Sequence, residues 1–237
     1  MIDWHCHLLP GIDDGAPDLD EALAMAQSLA AAGYRQVCCT PHAIRGAYPN
    51  DRPRVEQAVA ALQVALNTAA IPLQLLPGME YYLDEFFPEQ LSDPLPLGST
   101  RLLLVEAPSR PHPDVVRENL FRIVRQGLIP LLAHPERLAS LRWEEPRPAG
   151  GLWRRLVGRI APADPDPLFD LRDLRALGCR FQGNLGSLCG YYGAEVRARA
   201  QALLQAGFYD RFGTDGHHQR GLRQILLAGP PPVQAED

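Results

Sequence analysis

The first seven residues read Met1-Ile2-Asp3-Trp4-His5-Cys6-His7. Apolar Ile2, Trp4 and Cys6 alternate with Asp3, His5 and His7, the period-two pattern of a strand. Successive strand side chains point to opposite faces, so His5 and His7 are expected to share one. Two imidazoles so placed can grip one metal ion or two adjacent ones. A lone His-x-His is more often a pair of surface or hydrogen-bonded histidines, so the rest of the chain has to decide. It offers His42, Glu80, Glu106, His134, Asp215 and His217, each just after an apolar, strand-like run. A carboxylate buried alone at the end of a run such as Leu102-Leu103-Leu104-Val105 is costly, and no basic residue adjoins Glu80 or Glu106 in sequence. Metal ions would supply the missing charge.

Mixed imidazole and carboxylate ligands suit zinc, iron or manganese better than magnesium or calcium. The candidates outnumber the needs of one tetrahedral ion, which implies two or three. Paired ions about 3.5–4 Å apart serve phosphate-ester hydrolysis by neutralising developing charge. They bring a bound water toward a pKa of ~7, so a metal-bound hydroxide can act as nucleophile. All 23 cationic residues are arginine. That excludes a Schiff-base lysine and a Walker-type phosphate lysine.

Parallel β/α units are expected to position these groups. Strand-like runs at 2–6, 36–40, 72–77, 102–105, 129–133, 179–184 and about 209–213 alternate with helical patterns at 18–32, 53–70, 84–91, 114–126, 170–177, 195–206 and 220–227. Asp18 is placed to cap the first helix and Gly33 to end it. Alternation of this kind implies a parallel sheet, and about seven strands in 237 residues favour a closed or nearly closed β/α barrel over an open sheet. Barrels gather functional groups at strand C-termini, where these candidates fall. Residues 142–167, rich in Pro, Arg and Trp (Trp143, Trp153), break the rhythm as an insertion or lid loop, and 230–237 reads as a loose tail. One domain over 1–229 is expected.

Composition removes several functions. A net charge of −5 argues against a nucleic-acid face. No apolar run nears the ~20 residues of a spanning helix, and the chain starts without a signal-peptide pattern, so a cytoplasmic protein with no membrane insertion is expected. Five cysteines without a Cys-x-x-Cys pair fit reduced thiols. Cys39 and Arg45 stand six apart, the spacing of cysteine-dependent tyrosine phosphatases. That loop must cradle phosphate with successive N–H groups, but Pro41 has none and no glycine lies between the ends. Cys39 is expected to be a small buried hydrophobe.

Taken together, His5-Cys6-His7, Leu9-Pro10-Gly11-Ile12-Asp13-Asp14-Gly15, Thr40-Pro41-His42, Leu76-Pro77-Gly78-Met79-Glu80, Val105-Glu106, Ala133-His134-Pro135-Glu136-Arg137, Gly186-Ser187-Leu188 with Gly190, and Thr214-Asp215-Gly216-His217 resemble the bacterial metal-dependent protein-tyrosine phosphatases of the polymerase-and-histidinol-phosphatase (PHP) superfamily. The motifs occur in order over almost the whole chain. The resemblance implies a distorted (β/α)7 barrel holding three metal ions, usually manganese, with iron or zinc as alternatives. It implies phosphotyrosine hydrolysis on an autophosphorylating bacterial tyrosine kinase that controls capsule or exopolysaccharide export. Carried over by motif, the metal ligands are His5, His7, His42, Glu80, Glu106, His134, Asp215 and His217, with Asp13 from the acidic loop by spacing and Asp14 as the fallback. Arg137 falls on a phosphate-binding arginine. Arg220 is the better candidate for a second, with Arg223 the other. Gly216 and His218 depart from the family's usual Asp-Ala-His-Asn, which shifts that register. The same metal set would suit a small-molecule phosphoesterase such as a histidinol-phosphate phosphatase. A different class would be a non-catalytic regulator that binds a kinase tail. A homo-oligomer is left open.

Overall fold

The His-x-His segment is a strand, β1 (Ile2–Cys6), and it leads an alternation of strands and helices. In chain order follow α1 (Leu19–Ala31), β2 (Gln36–Cys39), β3 (His42–Ala43), α2 (Arg52–Thr68), β4 (Gln74–Pro77), β5 (Glu80–Tyr82), α3 (Phe87–Gln90), β6 (Leu102–Glu106), α4 (Pro113–Arg125) and β7 (Ile129–Ala133). After a 3-10 turn (Pro135–Arg137) come β8 (Leu141–Arg142), β9 (Phe169–Asp170), α5 (Leu171–Ala176), β10 (Arg180–Asn184), α6 (Leu185–Cys189), α7 (Ala194–Gln205), β11 (Arg211–Gly213) and α8 (Gln219–Leu226). The computed structural model describes residues 1–109, 112–138, 141–142 and 169–229. The tail at 230–237 and the expected insertion, with Trp143 and Trp153, lie outside the described residues except for the backbone of Arg142.

Two of the expected strands are followed, past a bend, by a further short strand. The chain turns at Thr40-Pro41, so β2 gives way to β3, and again at Gly78-Met79, so β4 gives way to β5. Below the bends β1, β2 and β4 pair in a parallel sheet; above them the order is β11-β10-β7-β6-β5-β3, also parallel. A second seam joins β1 to the segment after β11. Asp215 N–H donates to the His5 carbonyl (2.7 Å) and His7 N–H to the Gly216 carbonyl (3.0 Å). Gly213 permits this approach, since a Cβ there would sit 2.5 Å from His5 Cβ. Buried Asp3 ties the seam: its Oδ1 accepts from Thr214 N–H (2.9 Å) and its Oδ2 from Thr214 Oγ1 (2.6 Å). The product is one α/β domain built on a curled parallel sheet.

Strict alternation in β1 does not hold. Asp3 to Cys6 opposes only Val37 to Cys39, one extra residue on β1, which makes a β-bulge. Trp4 therefore packs in a small cluster with Leu102, Leu104 and Leu131, while Cys6 joins the larger core against the helices. That larger core takes Ala22, Met25, Ala26 and Leu29 from α1, and Val55, Val59, Leu62 and Leu66 from α2. Asp18 and Asp51 cap those helices, accepting from Glu21 N–H (2.9 Å) and Arg54 N–H (3.0 Å).

Candidate metal centre

One end of the sheet delivers the side chains to one place. His5 lies in β1 and His7 just after it; His42 and Glu80 open β3 and β5 past the bends; Glu106 ends β6; the turns after β7 and β11 bring His134, Asp215 and His217. His5 Nε2 and His7 Nε2 are 3.1 Å apart. Glu80 Oε2 lies 3.2 Å from His5 Nε2 and 3.3 Å from His7 Nε2, and Asp215 Oδ1 is 3.3 Å from both. Glu80 Oε2 also faces His42 Nδ1 (3.2 Å), and Glu80 Oε1 faces His134 Nε2 (3.2 Å), with Glu106 Oε1 3.8 Å from the same nitrogen. His134 and Asp215 carry left-handed backbone, φ 34° and 52°. A non-glycine residue holds that conformation at a cost of about 1–3 kcal/mol, and such strain clusters at functional sites.

The hydrogen-bond accounting points to a cation. Gln182 Nε2 donates to the Gly183 carbonyl (2.7 Å), and Oε1 accepts from His134 N–H (3.3 Å), which fixes the amide. His5 Nδ1 therefore donates to Oε1 (3.1 Å). His7 Nδ1 donates to Asp13 Oδ2 (2.7 Å). With protons on both Nδ1 atoms, two Nε2 lone pairs and two carboxylate oxygens converge on one space. Such a set repels itself unless a proton or a metal ion lies among it. Buried Glu80 Oε2 and His42 Nδ1 have no hydrogen-bond partner. The donor atoms form three groups, each within 4.8 Å: His5, His7, Glu80 and Asp215; His42, Glu80 and Glu106; and His7, Asp14, His42 and His217. This donor set fits transition-metal ions.

Burial and neighbouring charge pull these groups in different directions. Burial works to lower His5, but Glu80 and Asp215 outweigh it and bring its pKa up to about 9. Burial, then the like charges of Glu80 and Asp215, push Glu106 up to about 8. Burial would raise Asp215 and Glu80 as well, yet His5 and its imidazole neighbours hold both well below the carboxylate range. Burial and then the Arg137 guanidinium lower His134.

Asp13 takes a different place from the one its spacing suggests. Both its oxygens are engaged: Oδ2 with His7 Nδ1 and His42 N–H (3.1 Å), Oδ1 with Gly15 N–H (2.9 Å). Asp14 Oδ1 instead faces His42 Nε2 and His217 Nε2, 3.6 Å from each. Arg137 reaches the centre, donating from Nη1 to Asp215 Oδ2 (2.6 Å). Arg220 and Arg223 are exposed on α8, and among the described residues no hydrogen bond or ion pair ties either to the cluster. Sequence reasoning passed over Gln182, Asn184 and Glu136. Asn184 Nδ2 donates to Asp215 Oδ2 (2.9 Å), and Glu136 Oε1 accepts from Asn184 N–H (3.0 Å). The available signal was two amide side chains two apart in a buried strand.

A curled α/β sheet with imidazoles and carboxylates converging at one end defines a protein with a candidate metal-binding site. Residues 1–149 match the family described as capsular polysaccharide synthesis, CpsB/CapC, and the chain belongs to that family. It is 30% identical over 220 residues to the tyrosine-protein phosphatase YwqE of Bacillus subtilis (strain 168), covering 92% of this chain and 78% of the relative. To the putative tyrosine-protein phosphatase CapC of Staphylococcus aureus it is 24% identical over 219 residues, 92% of this chain and 77% of that one. A solved chain from the crystal structures of YwqE from Bacillus subtilis and CpsB from Streptococcus pneumoniae, described as unique metal-dependent tyrosine phosphatases, superposes with a TM-score of 0.76. Identity there is 29%, over 96% of this chain and 85% of that chain. Among the described residues no helix is long and apolar enough to cross a membrane.

Proposed function

We propose that this chain is a metal-dependent protein-tyrosine phosphatase of capsule or exopolysaccharide synthesis. The observation that carries the proposal is the meeting of His5 Nε2, His7 Nε2, Glu80 Oε2 and Asp215 Oδ1 within 3.3 Å of one another's nearest partners, with both imidazoles oriented from behind. The names of the relatives support the same reading.

Two or three divalent ions would be held, manganese first, with iron or zinc as alternatives. His5, His7, Glu80 and Asp215 would hold one; Glu80, Glu106 and His134 a second; His42, His217 and Asp14 a third. Asp14 replaces Asp13 in this assignment because Asp14 Oδ1 faces the His42 and His217 Nε2 atoms, while the oxygens of Asp13 are turned to His7 Nδ1 and backbone N–H groups. When bound, such ions neutralise charge on the phosphoryl group and acidify a water. Arg137 keeps one N–H on Asp215 and, half-buried, has further donors for phosphate oxygens. Asn184 and Arg137 both donate to Asp215 Oδ2, which leaves Oδ1 aimed at the two imidazoles.

The sheet is best read as a distorted (β/α)7 barrel. The bent pairs β2/β3 and β4/β5 each count as one stave beside β1, β6, β7, β10 and β11. The catalytic domain would span 1–229, with 142–167 inserted and 230–237 a tail. The expected substrate is a phosphotyrosine protein, an autophosphorylating bacterial tyrosine kinase, met in the cytoplasm.

The test is turnover of a phosphotyrosine peptide by manganese-loaded protein, with His134→Ala as control. Arg137→Ala should cost about 10²–10³ in kcat/KM, the scale of losing one donor to a developing oxyanion. Arg220→Ala should stay within about twofold, as surface changes do. A manganese-loaded protein inert toward the peptide overturns the proposal.

A further inference from the structure

Beside the metal centre lies a cavity of about 210 Å³. Asp215 and His217 belong both to its wall and to the donor cluster, so it borders the centre. Arg137, which donates to Asp215 Oδ2, lines it as well. Tyr191, Tyr192, Leu222 and Ile225 give the remaining wall its rings and apolar side chains, and the His218 imidazole and the glycines 216 and 221 complete it. The Arg137 guanidinium lies over the Tyr192 ring, 4.6 Å from its centroid. Tyr191 and Tyr192 meet edge-on, 5.1 Å apart at 86°.

Two glycines make room for these rings. A Cβ on Gly186 would come within 2.8 Å of Tyr192 Cε2, and one on Gly221 within 2.8 Å of the Tyr191 hydroxyl. The rings are therefore seated by the backbone of α6 and α8. A cavity of about 150 Å³ accepts a benzene-sized guest, and edge-on or offset ring contacts favour an aromatic one.

We propose that this cavity is the aryl subsite, in which Tyr191 and Tyr192 hold the phenyl ring of the phosphorylated tyrosine. The inference rests on the phosphatase reading above and deepens it. A phosphate gripped by Arg137 beside Asp215 and His217 directs its ester group into this space. Tyr191, 41% exposed, forms the outer wall, so its loss removes a contact without emptying the core. An alkyl phosphate would leave the rings unfilled, so the subsite selects aryl esters by what lies beyond the phosphorus.

The experiment compares two probes on manganese-loaded full-length protein: KM for a phosphotyrosine peptide, and Ki for inorganic phosphate, which needs no ring pocket. Tyr191→Ala should raise KM about three- to tenfold, the worth of one aromatic contact, while Ki moves by less than twofold. Tyr191→Phe keeps the ring and should restore KM. KM unchanged in Tyr191→Ala, or KM and Ki rising together, overturns the aryl subsite alone. A wild-type protein inert toward the peptide overturns the phosphatase reading and the subsite with it.

Discussion

Gln182 holds His5 from behind: its Oε1 accepts from His5 Nδ1 at 3.1 Å and, at 3.3 Å, from the backbone N–H of His134. One amide oxygen thus sets the tautomer of one candidate ligand and the backbone of another. Gln182→Leu keeps similar bulk and removes the acceptor. Groups that orient metal ligands typically contribute 10–100-fold to affinity, so manganese binding to the Leu variant should weaken by about that factor, with Gln182→Glu in between. Calorimetric titration of the metal-free protein measures it; wild-type affinity in the Leu variant would remove Gln182 from the site.

Asp13 and Asp14 should fail in different ways. Asp13 touches His7 Nδ1 and two backbone N–H groups, whereas Asp14 faces the imidazoles of His42 and His217. Elemental analysis of Asp14→Ala should find one ion fewer per chain. Asp13→Asn should keep the wild-type count and bind about tenfold more weakly, having lost the charge behind His7. The reverse assignment would return Asp13 to the ligand set.

Much of this was legible in the chain itself, because polar residues at the ends of Leu- and Val-rich runs are costly unless they converge. The positions of α1, α2, α4, α5, α7 and α8 and the Asp18 cap follow from local pattern. Two kinds of feature do not. The short strands β3 and β5, beyond the bends at Thr40-Pro41 and Gly78-Met79, lie past the runs that periodicity picks out, since they are held by each other rather than by their own sequence. The division of labour between Asp13 and Asp14 depends on which carboxylate the loop turns toward His7, and adjacent identical residues carry no such signal.

Metal-free protein should lose stability as pH rises. Its His5 is raised from 6.5 to about 9, chiefly by Glu80 and Asp215 against the pull of burial, and Glu106 from 4.5 to about 8 by burial and the same carboxylates. Each holds a proton in the fold that the unfolded chain would release. Their contribution is complete below the unfolded values and is lost as pH climbs through about 8 to 9. Cations replace those protons on loading. Thermal melts between pH 6.5 and 9 should therefore fall for the metal-free form and stay nearly level with manganese, and loading near pH 7.5 should release protons to an indicator dye. A metal-free Tm that rises over this range would contradict the assignment of charge.

Chelation, and not thiol alkylation, should stop the reaction. Cys39 is fully buried, and burial followed by the charges of Asp3 and Asp13 drives its thiol pKa up, away from a reactive thiolate. Arg45 is exposed; it pairs with Glu89 (2.7 Å) and lies over the Phe86 ring. The amides between them are committed elsewhere: Thr40 N–H donates to the Cys6 carbonyl (3.0 Å), His42 N–H to Asp13, and Pro41 has none to give. No phosphate cradle can form there. A chelator should abolish phosphotyrosine hydrolysis and added manganese restore it, while iodoacetamide on the native protein leaves the rate intact. Loss of activity on alkylation at Cys39, with indifference to chelator, would transfer the chemistry from the imidazole cluster to the thiol.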